Sequence, residues 1–149
     1  MKKILCATRG GEASYHTQDA AIQRAKETVQ ELIFFYAVDV EFLSHANYTL
    51  RSDVIEEELD NMGEFLMEMA VERARARKVS ARYIVKHGNL LETLCETVAE
   101  EKVNLVVLGS PGEDSAIAVT SLDHLANAIQ ERAGVKVAIL PESQDSSSA

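Results

Sequence analysis

The sequence predicts an α/β fold: a single three-layer, doubly wound domain with a five-stranded parallel sheet and helices on both faces. Three observations lead there. Five short apolar runs are separated by four longer stretches with helical spacing of apolar residues, the order that builds parallel strands joined by right-handed crossovers. The runs are continuous rather than alternating, as in "ELIFFYAVDV" (31–40), which is the pattern of a strand covered on both sides. The chain has 149 residues, 46% hydrophobic and 26% charged, enough for one real core and not obviously for two. Neither an internal repeat nor a second domain is visible, so the domain is expected over 1–141, with a disordered tail at 142–149, "ESQDSSSA" from Glu142 onward.

Each element has its own justification. "KILCAT" (3–8) is a short apolar run and a first strand; "RGGEAS" after it is a glycine-rich turn. From Tyr15 to Val29, Ala21, Ile22, Ala25 and Val29 recur at helical spacing. The second strand, 31–40, is rich in aromatic and β-branched residues. A polar connection over 41–52 leads to a long helix opened by Ser52 or Asp53. In it Ile55, Leu59, Met62, Leu66 and Met69 form the expected inward stripe, opposite Glu56, Glu57, Asp60, Glu64 and Glu68. Acids early and Arg73, Arg75, Arg77 and Lys78 late suit the helix dipole. "ARYIVKHG" (81–88) is a third strand, and 89–102 a helix with Leu91, Leu94, Cys95 and Val98 inward. "NLVVLG" (104–109) is the fourth strand. A helix over 121–134 ends at Gly134 as C-cap, and "VKVAIL" (135–140) is the fifth strand, stopped by Pro141.

Charge and special residues narrow the function. A net charge of −9 argues against binding nucleic acid or anionic lipid through a broadly basic surface. No apolar run approaches the length of a membrane span, and "MKKILCATRGG" lacks the long apolar core of a secretory signal. Cys6 and Cys95 lie far apart among apolar residues and are expected as buried free thiols of a cytoplasmic protein. His16, His45, His87 and His124 are scattered, so no metal is expected.

In a doubly wound sheet, ligands bind beyond the carboxyl ends of the strands, where the strand order reverses. The segments there are "TRGGEAS", "AVDVEF", "KHGN" and "GSPGED". Arg9 with Gly10 and Gly11 offers a planar cation on a tight turn; it either meets an anion or sits in solvent beside Glu12. Asp39 either bonds a sugar hydroxyl or begins the loop. Gly109, Ser110 and Gly112 can present backbone N–H groups to an anion, with Pro111 removing one donor. Thr120 or Ser121 is expected to cap the next helix, with Asp123 in its first turn. His87 reads as a hydrogen-bonded loop residue. His124 and Asp123, as neighbours in one helical turn, point in different directions and make a poor dyad, and Ser110 has no evident base. A non-enzymatic protein is expected; nucleotide hydrolysis is the weaker reading.

Taken together, "KKILCATRGG", "FFYAVDV", "VKHGNLLETLCETVAEEKVNLVVLGSPG" and "GVKVAIL" resemble the universal stress protein family over about residues 2–140. That resemblance implies strand order 3-2-1-4-5, a role in stress response, and homodimers through the last strand, here Val135 to Leu140. An apolar edge strand also calls for cover. It implies adenine near the ends of strands one and two, at Ala7, Val38 and Asp39, and phosphates at the loop after strand four. The family motif is Gly, two residues, Gly, nine residues, then Gly with Ser or Thr. Gly109 and Gly112 match it; Leu122 stands at the third glycine, or Asp123-His124 after one insertion. Arg9-Gly10-Gly11 replaces the family's Asp-Gly-Ser. A carboxylate about 5 Å from a phosphate costs roughly 3 kcal/mol at an effective dielectric near 20. The expected ligand is therefore an adenine nucleotide, AMP-like in preference to ATP, or another small anion. The expected site is Ala7, Arg9, Gly10, Val38, Asp39, Gly109, Ser110, Gly112, Thr120 and Ser121. The alternative is a ligand-free dimeric interaction module of the same fold.

Overall fold

The computed structural model describes residues 2–8, 12–38, 52–109 and 116–140; within these, 12–14, 52–56, 59 and 116–121 are described by backbone alone. The elements are β1 (Lys3–Ala7), α1 (Glu12–Thr28), β2 (Glu31–Val38), α2 (Ser52–Ala76), β3 (Ala81–His87), α3 (Leu90–Glu101), β4 (Leu105–Gly109), α4 (Ala116–Ala133) and β5 (Lys136–Leu140). The strands form one parallel sheet in the order β3-β2-β1-β4-β5, as expected. β1 is the central strand: Ile4 is in register with Leu32 on one side and with Leu105 on the other.

Successive side chains of β1 and β2 feed opposite cores, the period-two rule of a strand. Ile4, Cys6, Leu32 and Phe34 pack with Ala21, Ile22 and Ala25 of α1 and Met67, Ala70, Val71 and Ala74 of α2. Leu5 and Phe35 pack on the other face with Leu94 and Val98 of α3 and Ile129 of α4. Phe34 and Phe35 are both fully buried, so the continuous apolar run of β2 serves two layers at once. Cys6 and Cys95 are free thiols, Cys6 buried and Cys95 only half so; burial pushes the Cys6 thiol up to about 12. At the other end of the sheet, Asn104 and Lys3 exchange hydrogen bonds that join β1 to the start of β4 (3.0 and 2.9 Å).

The phase of α2 differs from the sequence expectation. Its core face is Gly63, Met67, Ala70, Val71 and Ala74, whereas Met62 and Met69 are 52% and 37% exposed and Leu66 is half-buried. The expected Ile55 and Leu59 lie outside the described side chains. The cause is close approach. A Cβ on Gly63 would lie 2.9 Å from the Tyr36 ring of β2, so small residues let the helix sit against the sheet and the larger ones face away. In α3 the buried residues are Thr93, Leu94, Thr97 and Val98. Leu91 and Cys95 are only half-buried, because the two threonines cap their hydroxyls on carbonyls one turn back (2.8 Å each) and become tolerable inside. Asn89, expected within this helix, is instead its N-cap and accepts the Glu92 N–H at 3.2 Å.

All four helices end on a residue with left-handed backbone: Val29 (φ 52°), Lys78 (φ 64°), Lys102 (φ 57°) and Gly134 (φ 64°). At the first three, the following N–H returns to a carbonyl five residues back: Gln30 to Ala25, Val79 to Ala74 and Val103 to Val98, a Schellman ending. Gly134 takes this role as expected; Val29, expected inside α1, is 77% exposed and outside the helix. A β-branched residue in this conformation is strained by about 1–2 kcal/mol. Val29→Gly is therefore expected to raise the unfolding free energy by about 0.5–1 kcal/mol after the extra chain entropy of glycine. Val29→Ala keeps the Cβ and should gain less; urea denaturation of the three chains checks the order.

Candidate functional site

The strand order reverses between β1 and β4, so the crevice of this sheet lies beyond Ala7 and Gly109. Both α1 and α4 begin at that edge, and the positive ends of their helix dipoles give it a positive field. The strand ends are small. Ala7 is in register with Phe35, and Gly109 with Leu140. Val38, at the end of β2, is almost wholly buried, backbone included. Its carbonyl already accepts the Gly88 N–H at 2.9 Å, leaving one lone pair.

Behind the crevice lies a buried polar relay that the sequence reading missed. Thr8, 7% exposed, continues the β1 path by donating its N–H to the Phe35 carbonyl (3.0 Å). Its hydroxyl receives the Gln18 amide at 3.2 Å. The Gln18 oxygen in turn accepts from an Arg73 guanidinium nitrogen at 2.9 Å. Arginine is a donor only, which fixes the amide's orientation. The other Arg73 nitrogen meets Asp19 at 2.5 Å, and the guanidinium lies 4.4 Å from the Tyr15 ring centroid. A residue of α2 thus positions the buried Thr8 hydroxyl, next to the end of β1, through one glutamine of α1. A second contact ties α1 to the far strands: buried Thr17 donates to the Leu140 carbonyl at 3.0 Å. Its Oγ1 occupies the space beside Gly109, where a Cβ would lie 2.9 Å away. The signal for both was present in the spacing, because Thr17 and Gln18 fall in phase with Ala21, Ile22 and Ala25.

Of the expected site residues, the structure brings Ala7, Val38 and Gly109 to this edge of the sheet. Arg9, Gly10, Asp39, Ser110 and Gly112 lie outside the described residues. Thr120 and Ser121 do not cap α4. The helix begins at Ala116, so both stand a full turn inside it, and their side chains are not among those described. Asp123 is likewise not in the first turn. It is exposed and lies roughly 10 Å along the axis from the helix start. At that distance from the helix start, about a Debye length, solvent and salt weaken its field without removing it.

His87 closes β3 and meets Asp60 of α2 at 2.5 Å, the hydrogen-bonded role expected for it. Among the described residues, no group of three or more His, Cys, Asp or Glu could hold a metal ion.

This sheet order, with its crevice between β1 and β4, has counterparts among known proteins. The universal stress protein family model matches residues 1–141. The chain belongs to the universal stress protein family. No curated protein matches it by sequence, but solved structures of the family do so by fold. A universal stress protein family member from Burkholderia pseudomallei is 20% identical, with 95% of this chain and 96% of that one covered and a TM-score of 0.74. A universal stress protein in complex with cAMP is 22% identical, with 95% and 98% covered and a TM-score of 0.65. The universal stress protein from Archaeoglobus fulgidus in complex with dAMP is 12% identical, with 93% and 97% covered and a TM-score of 0.63. At these identities the likeness is one of fold. No described helix is long and apolar enough to cross a membrane.

Proposed function

We propose that this universal stress protein is a non-enzymatic, cytoplasmic regulatory protein of the stress response that binds an adenine nucleotide, AMP-like in preference to ATP, in the crevice between β1 and β4. The observation that carries the reading is the pair of small strand ends, Ala7 and Gly109, at the reversal of strand order, with two helix N-termini beginning beside them. Supporting it, the two nucleotide complexes of similar fold hold cAMP and dAMP, adenine nucleotides with a single phosphate. In this reading Ala7, Val38 and Asp39 border the adenine and ribose. Arg9 and Gly10, together with Gly109, Ser110 and Gly112, meet the phosphate, and Thr120 and Ser121 stand further along α4. Free thiols at Cys6 and Cys95 suit a reducing compartment.

The partner in this reading is a second copy, joined through β5. That strand pairs with β4 on one side and keeps Val137, Ala138 and Ile139 half-exposed, an apolar edge that needs cover.

Calorimetry with AMP, cAMP and ATP tests the ligand. AMP is expected to bind at least about tenfold tighter than ATP, a difference of roughly 1.4 kcal/mol. Absence of heat at millimolar nucleotide, from protein with native circular dichroism, removes the proposal. Light scattering tests the dimer, and a monomer at every concentration up to the millimolar range removes that part.

A further inference from the structure

α2 carries two apolar faces, and the sheet uses one. Met67, Ala70, Val71 and Ala74 are buried against the strands. Met62, Phe65 and Met69 point the other way, 52%, 62% and 37% exposed. Their spacing of three and then four residues places them on one ridge, about 10 Å long. Large apolar side chains scattered singly on a surface need no explanation, but a contiguous row of them does.

The charge around the ridge identifies what covers it. Glu58 precedes Met62 by one turn, Glu72 follows Met69, and Glu57, Glu64 and Glu68 lie along one flank; all five are exposed. Among the described residues, none of Glu57, Glu58, Glu64 or Glu72 is in an ion pair. Burial, and then the nearby charges of Glu68 and Glu64, push the Tyr83 phenol of β3 up. On the other flank the nearest cation, Arg73, is already committed to Asp19 and Gln18. Glu68 and Glu72 also line a groove of about 390 Å³ against β3, with Val71, Tyr83, Arg75 and Arg82, so the charge is mixed toward the C-terminal end of α2 and the acidic flank is the stretch from Glu57 to Glu68.

We propose that this ridge is a docking surface for a basic amphipathic helix, one whose apolar row is flanked by lysine or arginine. Anchors at three- and four-residue spacing are what helix-to-helix recognition uses, and the glutamates supply complementary charge that steers and orients the partner. A second copy laid ridge to ridge brings the glutamate flanks together, and an anionic membrane meets the same repulsion.

The test uses the full chain and three fluorescein-labelled 20-residue peptides. One carries a leucine row flanked by lysines, the second the same row flanked by glutamates, and the third the lysines with serine in place of leucine. Fluorescence anisotropy should show the first binding at least tenfold tighter than either other. The double variant Phe65→Ser, Met69→Ser should lose at least tenfold for the first peptide while keeping its native circular dichroism. Methyl NMR reads the place: the Met62 and Met69 signals move on titration and that of buried Met67 does not. Equal binding of the serine peptide reduces the effect to net charge and overturns the proposal. So do unmoved Met62 and Met69 signals, or unchanged affinity in the double variant. A dimer by light scattering that the double variant dissolves, with no peptide bound, names a second copy as the occupant and overturns it too.

Discussion

Replacing Gln18 with alanine lowers the unfolding free energy by about 3 kcal/mol. The residue is 1% exposed and both ends of its amide are engaged, with Thr8 on one side and Arg73 on the other. Truncation leaves a cavity between α1 and β1. It also removes a donor from Thr8 and an acceptor from a partly buried guanidinium, and a buried polar group that loses a partner costs about 1–3 kcal/mol. Gln18→Leu separates the two contributions, since it restores most of the volume and none of the hydrogen bonds. It should remain destabilised by about 1–2 kcal/mol. Urea unfolding followed by circular dichroism measures both. A loss below 1 kcal/mol for Gln18→Ala would mean that the relay contributes little and that Arg73 is held by Asp19 and Tyr15 alone.

Gly109→Val is expected to cost about as much, roughly 3 kcal/mol, for a different reason. Backbone conformation does not require glycine here; the space is taken. The added Cβ meets Thr17 Oγ1 at 2.9 Å and Thr17 Cβ at 3.6 Å. Thr17 cannot simply turn away, because its hydroxyl is bonded to the Leu140 carbonyl at 3.0 Å in a buried position. Valine therefore overpacks the joint, worth about 1–3 kcal/mol, and breaks that bond, worth about 1 kcal/mol more. Thr17→Ala should be mildly destabilising in the parent chain and should recover about 1 kcal/mol in the valine background. A double-mutant cycle by urea unfolding supplies the coupling energy. Strict additivity would refute the clash, and the loss would then belong to some other contact of β4. The joint also matters for the proposed ligand, since Gly109 ends the strand that borders the crevice.

The layers were legible because the signals for them are redundant, while the strand order followed from the family resemblance. "ELIFFYAVDV" cannot be an exposed alternating strand, and five such runs with helices between them leave few topologies. The phase of α2 was not legible. Met62, Leu66 and Met69 form as good an apolar stripe as Gly63, Met67, Ala70 and Ala74. Reading by side-chain size chooses the first, while packing against the Tyr36 ring chooses the second. The start of α4 was misplaced because Thr120-Ser121 beside Asp123 imitates a capping sequence. The helix begins earlier, at Ala116, and Asp114-Ser115 before it is as good a capping sequence as Thr120-Ser121. At the site, the strand ends Ala7, Val38 and Gly109 followed from topology. Thr8, Gln18 and Arg73 did not, because a relay across α1 and α2 depends on which faces meet, and that was the phase in error.

The placement of β1 has a consequence for synthesis. The strand at the middle of the sheet is made well before one of its two partners, since Lys3 meets Asn104 across 101 residues. A nascent chain that has completed β3 has paired only one side of β1, and the other side, bearing Ile4, Leu5 and Cys6, stays open until β4 leaves the ribosome. Such late closure lengthens folding and leaves an unsatisfied strand available to other chains. The interval grows wherever translation slows between codons 87 and 105.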